Sequence, residues 1–252
     1  MSLRIEREGP LARLRLDKAR ANAMDAALVG DLTRAAAELR TDDGVRGILL
    51  CSAHPRVFCP GLDLVALDAY DAPALRAFLL RFAEMVWALY GLDKPVVAAV
   101  GGHAVAGGCI LALTADLRLI AHGAQMGLNE VKIGVPLPWT VTVLLRANLA
   151  ATSVADVALD GRNFADDEAV RVGLAHAALP ADGFEGAAVA VLARLAERDP
   201  LATRTTKRYL RTPFLEEMKA READHVDEFV AAWFSPATCE RRRQILASLG
   251  KS

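Results

Sequence analysis

The chain of 252 residues has little cysteine: Cys51, Cys59, Cys109 and Cys239 are widely spaced, and none forms a CxxC pair. This argues against a disulfide frame and fits a reducing compartment, with thiols serving as small buried apolar groups. Neither sign of charge is in excess. The 30 Lys and Arg balance 31 Asp and Glu to a net −1, which leaves no electrostatic footprint for nucleic acid or an anionic membrane. No apolar run approaches the roughly 18 residues of a membrane span. The opening "MSLRIEREGPLARLRLD" is charged and alternating, unlike a signal or transit peptide. His54, His103, His122, His176 and His225 have no spacing that suggests a metal site or a triad. The one locally basic run, "ERRRQ" at 240–244, is expected to form a solvated helix face. What remains is a cytoplasmic globular protein, one sizeable domain or a domain with an appendage, without low-complexity segments.

Apolar residues make up 53% of the chain, enough for a large core. "LRIERE" and "LARLRL" alternate around Gly9-Pro10 and read as a hairpin. Asp25 suits an N-cap for a helix that ends at Asp42-Asp43-Gly44. "VRGILLCS" and "PVVAAV" read as buried strands, the first followed by a loop over 53–63 and a helix over about 73–90, the second by a glycine turn and the helix "GGCILALTA". "DLRLIA" and "AQMGL" are short strands, and Pro138 suits the first position of the helix after them. Strands alternating with helices to about residue 180 argue for an α/β body with largely parallel pairing. Beyond it the pattern is helical: Asp199-Pro200 and Ser235-Pro236 open helices at 200–211 and 236–249, with an amphipathic segment at 214–233.

Two stretches offer bare backbone where a strand ends. In "VFCPGLDL" Gly61 permits a close approach, Pro60 has no N–H, and Leu62 is the next bulky residue with one. In "GGHAVAGGCILALTAD", Gly107 and Gly108 open an apolar helix whose first N–H groups lack intrahelical partners. Each alone is equally a tight turn, and neither has the spacing of a dinucleotide or phosphate loop. A third stretch, "AQMGLNEVKIGVPLP", carries a single carboxylate, Glu130, among apolar residues and glycines. Glu130 reads as a surface residue, an ion-pair partner or a catalytic base. Two donors and one acid together match proton abstraction beside a carbonyl, with the developing oxyanion held by main-chain N–H groups.

At these residues the chain resembles the enoyl-CoA hydratase/isomerase (crotonase) superfamily, through "LDKARANAMD", "FCPGLDL", "KPVVAAVGGHAVAGGCILALTADLRLIA" and "GLNEVKIGVP". The resemblance spans nearly the full length. It implies a crotonase-like spiral of ββα repeats over 1–195 and a helical C-terminal region over 196–252 that assembles trimers or hexamers. It implies an acyl-CoA thioester as substrate, with coenzyme A carried by the substrate, no separate cofactor and no metal. On this resemblance Leu62 and Gly107 supply the oxyanion hole and Glu130 is the catalytic acid–base. Arg20 lies where the family places a basic residue near the CoA phosphates, and Asn129 at a substrate-lining position. Pro60, Gly61, Asp63 and Leu64 belong to the substrate-contacting loop, although the family usually turns the Asp63 side chain into structural hydrogen bonds. Asp116 is expected to be structural. Phe82, Trp87 and Trp139 suit either an acyl-pocket wall or the core.

Hydratases of the family use two glutamates, the first immediately after "GGC"; here that position is Ile110, which neither holds water nor donates a proton. The chain is more similar to the isomerase branch, which shifts 3-enoyl-CoA to 2-trans-enoyl-CoA in fatty-acid β-oxidation. The alternatives are hydratase or another lyase or hydrolase reaction of the fold, and an inactive acyl-CoA-binding or scaffold member.

Overall fold

The computed structural model describes residues 2–249. Strands β1 (Leu3–Glu8) and β2 (Leu11–Leu16) form the expected antiparallel hairpin, and β2 buries Ala12, Leu14 and Leu16 on one face. Helix α1 (Ala26–Thr41) starts where the Asp25 carboxylate accepts the Leu28 N–H at 3.0 Å. Next come β3 (Gly47–Ser52), β4 (Val57–Cys59), α2 (Leu64–Asp68) and α3 (Ala72–Tyr90). They are followed by β5 (Val96–Val100), β6 (His103–Val105) and α4 (Gly107–Leu113), then β7 (Leu117–Ala121), β8 (Gln125–Gly127), α5 (Glu130–Ile133) and α6 (Trp139–Asn148).

These are three successive ββα turns of a spiral. The first strand of each turn joins a six-stranded sheet ordered β1-β2-β3-β5-β7-β10, and the second joins a four-stranded sheet ordered β4-β6-β8-β9. Helix α7 (Ala151–Leu159), β9 (Asn163–Ala165), α8 (Asp166–Arg171), β10 (Ala177–Leu179) and α9 (Phe184–Ala196) complete the body. The β3, β5 and β7 strands are mostly apolar, apart from the buried Arg118 of β7, because both faces are covered. One face packs on the main core, and Leu49, Val97 and Leu119 meet Phe184, Ala188 and Leu192 of α9 on the other.

The sequence expectation of a loop over 53–63 and a simple turn after β5 needs correction, since both hold short strands, β4 and β6. Three residues are too few to display alternation. Likewise Pro138 is the N-cap of α6 rather than its first residue, and it brings no side-chain cap. The Glu222 carboxylate supplies the missing acceptor, taking the Thr140 N–H at 2.7 Å.

Helix α10 (Pro200–Trp233) runs without interruption through Pro213, where separate helices were expected. An internal proline costs about 3 kcal/mol in a helix. Tertiary anchors flank it on both sides. Lys207 and Arg211 reach the Asp116 carboxylate at 2.6 and 2.7 Å, and Met218, Val226, Phe229 and Trp233 enter the core. Asp116 also accepts the Val96 N–H at 2.7 Å, so its structural assignment holds. Helix α11 (Pro236–Leu249) closes the described chain and packs on α2 and α5. Among the described residues no helix is long and apolar enough to cross a membrane.

Candidate active site

Strands β4, β6 and β8 lie side by side and parallel in the smaller sheet, so their C-terminal ends open at one edge. The three junctions carry Leu62, Gly107 and Glu130, and all three residues border one cavity of about 1160 Å3. Binding at the carboxyl ends of parallel strands is the general rule for α/β folds.

The loop after β4 is held from the side. The Met24 N–H donates to Gly61 O and the Asp63 N–H to Met24 O, both at 2.8 Å. Asn22 sits beneath, fully buried, donating to Ser52 Oγ and Phe58 O at 2.9 Å. Gly61 adopts φ +104°, and a Cβ there would stand 2.9 Å from Ala106 Cβ and 3.1 Å from Gly107 N. The two glycine turns therefore face each other at backbone contact, a closeness only glycine permits. At the opposite turn Ala106 takes φ 49°, an uncommon conformation for a residue with a Cβ, and it aims the start of α4 at the loop. Neither the Leu62 N–H nor the Gly107 N–H has a protein acceptor among the described residues.

Glu130 is the first residue of α5, following Asn129 as N-cap. It is 8% exposed, and its Oε2 has no hydrogen-bond partner. Burial pushes its pKa up to about 7, against the lowering effect of its own backbone N–H. No cation pairs with it among the described residues, so neither the surface nor the ion-pair reading survives. Asn129 Oδ1, beside it, is also buried without a partner. Ile110 borders the same cavity at 2% exposure, an apolar wall where a second acid would stand in a hydratase of the family.

The remaining residues expected at the site, Arg20, Pro60, Asp63 and Leu64, all border the cavity, while Gly61 shapes it from behind. The Asp63 carboxylate caps α2 through the Ala66 N–H at 3.1 Å and lies 3.8 Å from Lys18 Nζ and 3.7 Å from Arg20 Nη1. Its charge is thus committed to structure. Arg20 is mostly exposed at the rim, in a left-handed conformation shared with Ala21 and Asn22. Phe82 lines the cavity, whereas Trp87 donates to Thr140 Oγ1 at 2.9 Å, and Trp139 stacks on His225 outside it.

The sequence leaves the placement of the C-terminal helices open; the structure puts Phe229 and Trp233 of α10 with Ile245 and Leu246 of α11 on the far wall. The amphipathic pattern of 214–233 marked an apolar stripe on that helix but not what it faces. Sequence reasoning missed Arg242. The "ERRRQ" run was expected to be solvated throughout, yet Arg242 is 6% exposed because Asp68 and Trp233 receive it. Elsewhere, His122, Asp166 and Asp167 converge on the surface, which their separation in sequence concealed. Asp166 there already accepts the Gly123 and Asp167 N–H groups.

Residues 6–237 match the family described as enoyl-CoA hydratase/isomerase. The carnitinyl-CoA dehydratase of Salmonella arizonae is 32% identical over 211 residues, 84% of this chain and 80% of that protein. The solved structure of Pseudomonas aeruginosa OdaA superposes with a TM-score of 0.86 at 29% identity, covering 97% of this chain and 98% of that one. The human mitochondrial delta3-delta2-enoyl-CoA isomerase superposes with a TM-score of 0.95 over 100% of this chain and 99% of that one, at 23% identity, which speaks to the fold alone.

Proposed function

The chain belongs to the enoyl-CoA hydratase/isomerase family, and from that premise we propose that it is an acyl-CoA double-bond isomerase converting 3-enoyl-CoA to 2-trans-enoyl-CoA. The observation that carries this reading is one buried carboxylate, Glu130, with an unpartnered oxygen, in a cavity where Ile110 stands in place of a second acid. The ionised Glu130 removes a proton from C2. The electrons move into the thioester carbonyl, and the dienolate oxygen takes its hydrogen bonds from the N–H groups of Leu62 and Gly107. The same carboxyl then delivers the proton to C4, which leaves the double bond conjugated with the thioester.

Each backbone donor is worth about 10²–10³ in rate, and a well-placed acid–base about 10²–10⁴. A pKa near 7 suits both halves of the cycle, since Glu130 must accept a proton and release it at neutral pH. The route uses one carboxyl for both transfers and calls for no metal or redox cofactor. Arg20 borders the cavity at its rim, which supports a contact with the CoA phosphates, and the apolar far wall supports one with the acyl chain. Exposed Leu201, Tyr209 and Leu210 on α10 support assembly with further copies as a trimer or a dimer of trimers.

A second reading, reversible water addition, is favoured by the carnitinyl-CoA dehydratase relatives. It needs a second group to hold water, and Asn129 Oδ1 is the available acceptor. Asp63 and Asp68 border the cavity, but each is paired with a cation. The deciding experiment supplies 3-cis- and 3-trans-enoyl-CoA esters of several lengths beside 2-enoyl-CoA in water. Conjugated 2-trans product forming faster than any hydrated ester is expected. Hydration outpacing the shift would transfer the assignment to the second reading.

A further inference from the structure

Helix α11 touches both catalytic walls. Thr238, fully buried, donates from Oγ1 to Gly134 O at 3.0 Å, on the turn that ends α5 four residues after Glu130. Arg242, one turn further along α11, reaches the other wall. Its Nε and Nη2 contact Asp68 Oδ1 at 3.0 and 2.9 Å, at the end of α2, and its Nη1 donates to Trp233 O at 2.6 Å. The guanidinium also lies 4.2 Å over the Trp233 ring. Ile245 and Leu246 follow at the i+3 and i+4 positions, so they share a helix face with Arg242, and both border the cavity together with Trp233 and Asp68.

We infer that Arg242 is a positioning residue for the acyl chain: it clamps α2, the end of α10 and α11 into one apolar wall. The inference rests on the acyl-CoA reading of the site. Arginine suits the task because its planar fork pairs, donates and stacks at once, which a lysine ammonium does not. The clamp acts on the chain rather than on the chemistry. Leu62 is fixed separately by the Met24 bridge, and Gly107 by its contact with Gly61. Losing Arg242 loosens the surface that distal methylenes touch and leaves the thioester end in place. Its effect therefore grows with chain length.

The test is calorimetric titration of the wild-type protein, R242Q and R242K with butanoyl-CoA and decanoyl-CoA, saturated esters that undergo no double-bond shift. Wild-type affinity is expected to rise by up to about fourfold for each methylene buried. R242Q is expected to lose about tenfold more affinity for decanoyl-CoA than for butanoyl-CoA, the scale of one lost charge-assisted hydrogen bond. R242K should fall between the two. An R242Q slope equal to the wild-type slope, or an equal loss on both esters, overturns the role of Arg242 alone. Wild-type protein that binds neither ester overturns the acyl-CoA reading itself. If R242Q does not fold, D68N breaks the same clamp from α2 and is judged by the same outcomes.

Discussion

At the scale of single residues, the proposed base Glu130 bears on both activity and stability. Replacement by Gln keeps the shape but removes the base, and turnover of 3-enoyl-CoA is expected to fall by about 10³ or more. Because the ionised form abstracts the proton, kcat/KM of the wild-type protein should drop as pH falls below about 7 and level off above it. The same shift has a stability consequence of definite sign. The folded pKa lies above the unfolded value, so the folded state prefers protonated Glu130. Its favourable contribution is complete below about pH 4.5 and is lost as pH rises through 7. The shift from 4.5 to about 7 corresponds to an order of 3 kcal/mol. E130Q should therefore melt higher than wild type at pH 8, with the difference shrinking at pH 5, as read by thermal unfolding at both values. The identity of this acid was legible in the sequence, because a lone carboxylate among apolar residues is conspicuous. Its isolation was not, since a cation arriving from a distant element would have looked the same.

At the scale of elements, the approach of β4 to α4 builds the proposed oxyanion pocket, and it depends on Gly108. A Cβ at Gly108 would fall 1.9 Å from Cys59 O, against backbone that cannot yield locally. Gly108→Ala is expected to destabilise by about 1–3 kcal/mol or more. Gly30→Ala in α1, where nothing lies within 4 Å of the new methyl, should instead stabilise by up to about 1 kcal/mol. Denaturant midpoints of the two variants, opposite in direction, check both statements. The alternating hairpin, the Asp25 and Asp199 caps and the helices α1 and α3 were readable from local pattern. The strands β4 and β6 were not, although they carry the site, because their pairing is entirely with neighbours distant in sequence. The continuity of α10 across Pro213 was hidden for the same reason: local propensity argues for a break, and the contacts that prevent it come from α3, α6 and Asp116.

At the scale of the whole molecule, Asp116 fastens the C-terminal helices to the spiral. Asp116→Asn would leave Lys207 and Arg211 largely buried without a counter-charge. A loss of about 3 kcal/mol is expected, seen as a lower denaturant midpoint, with a salt dependence weaker than that of the surface pairs. The proposed trimer is checked by sedimentation, which should report about three times the 27.0 kDa chain mass or twice that again.

The reacting groups belong to three different coils of the winding, each stacked on the one before. No single coil holds a fragment of the catalytic apparatus that could work at reduced efficiency. The proposed donors and base become neighbours only once β4, β6 and β8 have paired, through parallel contacts between segments distant in sequence. On the proposed mechanism catalysis is an all-or-none property of the completed winding, and loss of turnover in urea should track global unfolding rather than precede it.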